Sequence, residues 1–232
     1  MTSREFPVSG FSAISIKWAM DIQIVRSENY SVIIRGTETQ LNNMNVSVSG
    51  EQLNLSYNLN IVSFFAAPFS KMSATITLPV LRELNLSGAS NCLITGFKSQ
   101  TDFKLNVTGA SRLQLDDISF GKLNFDLSGA SIIKGKIESS GIFDLKIIGA
   151  SKIELEGFAG DMVVDAAGAS SLNLGEFKVK NLKIKLSGAS YSSLNLNGKM
   201  DAILEGASIL VYTGQVVMGE TKISGASTLK RK

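Results

Sequence analysis

From Glu83 onward the chain alternates apolar and polar residues in short runs. The apolar positions come in pairs: Leu84 and Leu86, Leu105 and Val107, Phe125 and Leu127, Leu145 and Ile147, Val164 and Ala166, Ile184 and Leu186. The residues between them are mostly polar: Asn85, Asn106, Asp126, Lys146, Asp165 and Lys185. Alternation with period two predicts strands that bury one face. A second run follows each first one, through Cys92, Leu113, Ile133, Ile153, Leu172, Ser192, Leu210 and Leu229. The serine in that series reads as a slip of one or two residues, because Leu194 and Leu196 follow it.

Between the two runs stands the same tripeptide, Gly-Ala-Ser, eight times. Its glycines and serines are Gly88 and Ser90, Gly109 and Ser111, Gly129 and Ser131, Gly149 and Ser151, Gly168 and Ser170, Gly188 and Ser190, Gly206 and Ser208, and Gly225 and Ser227. Successive copies are 21, 20, 20, 19, 20, 18 and 19 residues apart. That period is too short for helical repeats or propeller blades, which need roughly 33 to 50 residues. It suits one circuit of two or three short strands. If each circuit lies on the one before, equivalent side chains meet about every 4.8 Å and form interior columns. The expectation is an all-β, parallel β-helix (a solenoid) of about 20 residues per coil, right-handed from strand twist and crossover chirality. Eight such coils give a rod roughly 40 Å long.

The tripeptide then reads as a structural corner. Glycine accepts backbone angles closed to other residues, and alanine and serine fit a tight bend. By parity the serines point inward unless a bulge shifts the phase. An inward hydroxyl needs a partner, which a ladder of bonds to backbone or to the other serines supplies. The competing reading, a nucleophile or ligand ladder, has little to rest on. The chain contains no histidine, so no Ser-His dyad exists, and eight equivalent serines describe architecture.

Residues 1–80 have strand character without the strict repeat, and 81–232 carry it; one elongated domain is expected overall. "FSAISIKWAMDIQIVRS" alternates through Ile14, Ile16, Trp18, Ile22 and Ile24, and Ser49-Gly50 marks a turn. An uncovered first coil would invite association, so this region is expected to form irregular early coils or a β cap. Within it Phe64, Phe65 and Phe69 cluster beside Pro68. They read either as a loop folded over the rod's apolar end or as an exposed interaction patch.

Composition narrows the classes. The net charge of +3 is small and both signs are scattered, so nucleic acid is not an expected partner. Lys230, Arg231 and Lys232 read as a solvated tail. The single cysteine, Cys92, falls on an apolar column and cannot form an internal disulfide. No Cys/His metal site and no cofactor motif is present. No apolar run is long enough to span a bilayer. "MTSREFPVSG" lacks the apolar core of an export signal, and a start this close to the first strand is expected if such a signal has been removed.

The stretch from Arg4 through "GFSAI", "MDIQIV" and "EQLNLSYN", followed by corners such as Ser87-Gly88-Ala89-Ser90, resembles a bacterial family described as "putative auto-transporter adhesins" with a head GIN domain. The resemblance runs from about Arg4 to Leu229. It implies a β-helical fold, export to the periplasm, envelope or surface, and no catalytic residues. The members' more usual Ser-Gly-Ser-Gly corner is here Ser-Gly-Ala-Ser.

Three functions follow as expectations. The first is a non-catalytic envelope or surface module, an adhesin that binds a glycan or a protein along the rod. The second is a self-assembling scaffold, a homo-oligomer docked through coil ends or the phenylalanine segment. The third, by fold analogy alone, is a polysaccharide-acting enzyme, which would need convergent carboxylates. Asp116-Asp117 is the only adjacent acidic pair, and Asp126 and Asp165 hold equivalent outward positions with Lys146 between them.

Overall fold

A computed structural model describes residues 1–58 and 71–232 of the chain. The period-two runs form strands that stack in parallel into a β-solenoid of about seven turns, with roughly 20 residues per coil. One face of the rod is built from the strands before each corner. There β8 (Glu83–Gly88) pairs with β10 (Phe103–Gly109), and β10 with β12 (Leu123–Gly129). The face continues through the later halves of β13 (Ile132–Gly149), β14 (Lys152–Gly168) and β15 (Ser171–Gly188) to β17 (Gly198–Leu204) and β19 (Val216–Ile223).

The strands after each corner make the second face. Here β9 (Asn91–Thr95), β11 (Arg112–Phe120) and the first halves of β13, β14 and β15 lead to β16 (Tyr191–Leu196), β18 (Ile209–Thr213) and β20 (Thr228–Arg231). A short third side closes the ring, where Phe120, Ser139, Ala159, Val179 and Leu196 lie rung on rung.

The interior columns are in register. Leu86 lies on Val107, Val107 on Leu127 and Leu127 on Ile147, and the file runs on through Ala166, Leu186, Leu204 and Ile223. Down to Leu204 these side chains are buried. Phenylalanines from successive rungs pack on one another in the interior. Phe103 stacks on Phe120 at 4.7 Å, and Phe125 meets Phe103 and Phe143 edge-on at 6.1 and 5.0 Å. Edge-to-face contact lets neighbouring rungs carry rings of full size without a void.

The N-terminal region continues both faces, but not in chain order. β2 (Ala13–Ile16) lies between β8 and β6 (Gln52–Tyr57), and β3 (Asp21–Arg26) lies between β9 and β7 (Ser73–Leu78). The first rung made is therefore sandwiched by two made later. The outer rung is covered by antiparallel strands: β5 (Met44–Ser49) on β6, β4 (Ser31–Gly36) on β7, and β1 (Thr2–Glu5) on β4. One helical turn, α1 (Glu38–Asn42), joins β4 to β5. Thr37 and Gln40 start it with a reciprocal capping box, satisfying amides that have no partner inside so short a helix. Reversing strand direction ends the stacking and covers the apolar end of the rod.

Candidate functional site

The corner is the feature repeated on every coil. All eight Gly-Ala-Ser glycines have positive φ, from +130° at Gly149 to +70° at Gly225. Beyond that torsion, the glycines are stacked. A methyl group on Gly129 would collide with the Gly109 carbonyl oxygen and lie 3.0 Å from the Gly109 nitrogen. The same carbonyl accepts the Ala130 N–H at 2.9 Å, so it has no freedom to retreat. Gly88, at the head of the column, is different: its nearest neighbours would be 3.9 Å away, in Trp18 and Ala19. Lys17-Trp18-Ala19-Met20 is the corresponding corner of the β2–β3 rung, since Ile16 lies on Leu86 and Asp21 on Asn91.

The serines face inward and are buried from Ser90 to Ser208, while Ser227, in the last coil, is half-buried. Each hydroxyl ties its rung to the rung before it. Ser131 Oγ accepts the Ser111 N–H at 3.2 Å and donates to the Gly109 carbonyl at 3.3 Å. Ser111 repeats this with Ser90 and Gly88, and Ser90 with Met20 and Trp18. Farther down, Ser190 and Ser208 also donate to Ser187 and Glu205 within their own coils. At Ser90, Ser111, Ser131 and Ser151 backbone groups take both the hydroxyl proton and an acceptor position, which fixes these oxygens in the corner as structural groups.

Ser192 behaves otherwise, and the slip expected there does not occur. Leu172 lies on Ser192 and Ser192 on Leu210, so the serine occupies an apolar file; the register shifts only after Leu194. Its hydroxyl is fully buried and has no hydrogen-bond partner among the described residues. An orphaned buried hydroxyl costs about 1–3 kcal/mol. Ser192→Ala is therefore expected to raise stability by about 1 kcal/mol, whereas Ser131→Ala, which strands an amide and a carbonyl, lowers it by about 1–3 kcal/mol. Urea unfolding of the two variants reads the opposite signs.

Cys92 lies between Ile22 and Leu113, buried, and desolvation pushes its thiol pKa up to about 12. The thiolate is the reactive species, so Cys92 is expected to resist a thiol reagent at pH 8 and to react fully in 6 M guanidinium. Fast labelling of the folded protein would contradict this packing.

Outward residues also fall into rows. On the first face Asn85, Asn106, Asp126, Lys146, Asp165 and Lys185 follow one another, with Asn106 donating to Asn85 at 2.6 Å. On the second, the Glu154 carboxylate bonds Lys134 and Lys152; these bonds and their charge hold its pKa down at about 2. Two shallow grooves cross this second face. One, of about 570 Å³, runs from Arg35 to Lys134 over Asp21, Asn91 and Arg112. The other, of about 690 Å³, is lined by Asp116, Asp117, Lys136, Glu154 and Glu176 among others.

The adjacent acids in that second groove do not work together. Asp117 sits at a bulge with φ +48° and bonds Lys98 at 2.6 Å and Lys136 at 3.3 Å, which lowers its pKa. Asp116 instead accepts from Thr95 at 3.1 Å. Among the described residues no group of three His, Cys, Asp or Glu side chains could hold a metal ion. Phe64, Phe65 and Phe69 lie outside the described residues. No described helix is long and apolar enough to cross a membrane.

A ring of small-residue corners carrying two flat, polar sheet faces defines a β-solenoid scaffold. The chain belongs to the family described as "Putative auto-transporter adhesin, head GIN domain", whose model matches residues 10–141 and 135–215. Among solved structures it is similar to an adhesin of Parabacteroides merdae described as putative, with TM-score 0.91, 18% identity, and 100% and 95% of the two chains covered. A second such adhesin, from Parabacteroides distasonis, gives 0.90 at 18% identity over 100% and 96%. A protein from that organism described as a putative lipid binding protein gives 0.83 at 16% identity, with the same coverage. At these identities the likeness shows the fold. No protein with a curated description matches the chain.

Proposed function

We propose that this protein is a non-catalytic binding module of the cell envelope or surface, which holds an extended glycan or surface protein against its sheet faces. The observation that carries this reading is the outward rows: polar side chains repeated in register from rung to rung, at about 4.8 Å spacing, over a sheet whose backbone is already paired. Such a face offers many weak, periodic contacts to a polymer. Membership of the adhesin family supports the surface location and the binding role. The separately engaged Asp116 and Asp117, and serines bonded to backbone, support a role without catalysis.

An array of surface glycans, read beside a variant with Asn85→Glu and Asn106→Glu, tests it. These two residues share a row, while Ser128 lies in the neighbouring row beside Thr108. Binding by the parent protein, altered by charge added to one face, is the expected result. Silence toward every glycan and toward extracted surface proteins overturns the reading.

A second reading, self-assembly, is favoured by the C-terminal rung. Among the described residues β19 and β20 each pair on one edge only, and Val217, Met218 and Ile223 are 67%, 44% and 48% exposed. Light scattering after size exclusion decides it: concentration-dependent association supports docking through this rung, and a strict monomer disposes of it.

A further inference from the structure

The groove that crosses from the cap to the regular coils has a composition unlike the rest of the rod. Five residues from five strands lie side by side in one row across the second face: Arg35, Ser73, Asp21, Asn91 and Arg112. Arginines stand at the first and last of these five positions, and the row runs on past them to Ser3 on one side and Ile132 on the other. Neither guanidinium makes a hydrogen bond or ion pair with any described residue, although ion pairs are common elsewhere on this surface. The one carboxylate in the row, Asp21, is engaged by the Asn91 amide at 2.7 Å. Beside this row runs a second, of Thr75, Gln23, Leu93, Gln114 and Lys134. The groove is lined by hydroxyl and amide groups interspersed with apolar side chains such as Leu93 and Ile132, and it carries three cations, of which Lys134 is paired with Glu154, against one anion.

We propose that this groove binds an acidic oligosaccharide, with carboxylate or sulfate groups on Arg35 and Arg112 and sugar hydroxyls on the amides and hydroxyls between them. The inference deepens the binding-module reading and rests on it. Charge selects the ligand's sign, since an arginine left without a partner among the described residues presents its full planar fork to an oxyanion. Spacing selects its length. Four rung steps separate the two arginines, about 19 Å, which matches a short run of sugars rather than a single one. Floor chemistry selects a glycan over an acidic peptide. The strands beneath are mid-sheet, with both edges paired, so a peptide cannot add as a strand and would meet side chains alone.

The test is a titration of the full chain with three acidic tetrasaccharides: oligogalacturonate, hyaluronan and chondroitin sulfate. Methyl-esterified oligogalacturonate and an acidic Glu-rich peptide serve as comparisons. The expected result is binding of at least one acidic sugar that weakens as salt rises, with little binding of the ester or the peptide. Arg35→Gln and Arg112→Gln should each weaken it about tenfold, the loss of one charge-assisted contact. Lys183→Gln, on the opposite face, should leave it unchanged, as a general attraction to basic protein would not.

Failure of all three acidic sugars overturns the inference. So does binding that both arginine variants retain, or preference for the peptide. If neutral glycans bind while acidic ones do not, this inference falls and the binding-module reading stands; if no glycan or surface protein binds at all, both fall. Because both arginines are exposed, unchanged melting temperatures separate lost contacts from lost fold.

Discussion

Gly129→Ala is expected to be among the most damaging single-methyl changes in this protein, while the same change at Gly88 is far milder. Both glycines hold nearly the same torsion, +119° and +116°, so the backbone strain of a side chain there, about 1–3 kcal/mol, is common to both. What differs is the neighbour. At Gly129 the new methyl collides with the carbonyl of Gly109, which is fixed by its bond to Ala130. Relief requires the rungs to separate locally. That would also loosen Ser131, which bonds the same carbonyl. At Gly88 the methyl meets nothing closer than 3.9 Å. The difference between the two variants, measured by urea unfolding, therefore isolates the stacking from the torsion. A further loss of about 2 kcal/mol or more at Gly129 is expected, in the range of other overpacked sites. Equal losses would mean that torsion alone, and not contact between coils, dictates the glycine.

Phe125→Ala is the second large effect. Its ring is 1% exposed and bridges Phe103 and Phe143, one rung to either side. Removing it opens a cavity that paired coils cannot close, because their spacing is fixed by backbone hydrogen bonds on both faces. The expected cost is about 3–5 kcal/mol. Phe125→Leu, which restores the residue found at the same position in neighbouring coils (Leu105 and Leu145), should cost much less. Solenoid energetics are dominated by contacts between neighbours, so hydrogen exchange should quicken first in β10, β12 and the second half of β13. Uniform quickening along the rod would argue against a stack held rung by rung.

The files of Leu86, Val107 and Leu127 were legible in the sequence because a strand buries every second residue and a repeat forces equivalents together. The glycine was legible as a corner, yet its stronger constraint, the carbonyl of the preceding glycine, depends on stacking distance and is not a property of one coil. The corner at Lys17-Trp18-Ala19-Met20 carries no glycine signal, because Trp18 stands where glycine is otherwise found. Its indole packs on Tyr57 at 4.3 Å, and no glycine ladder bears on it. Nor could spacing reveal that β2 and β3 lie between strands made later, since every rung presents the same apolar pattern to any neighbour.

α1 was hidden for a different reason: a helix of one turn has too few residues for a 3.6-residue period to show. The Ser192 register differs from the slip its apolar neighbours suggest, because apolar pattern alone does not say where in a shortened coil the missing residues are lost. The Arg35–Arg112 row is the clearest case of what sequence leaves out. Its five members come from strands widely separated in the chain, brought side by side by the folding back of the N-terminal region.

The stacking itself is tested most directly by distances along one outward row. Asn85 and Asp165 are four rungs apart, and Asn85 and Lys222 seven. Spin labels on these pairs, in a Cys92→Ala background, should give backbone separations of about 19 and 34 Å by pulsed electron resonance, growing with rung number. Separations that fail to increase from the first pair to the second would contradict a straight stack of coils.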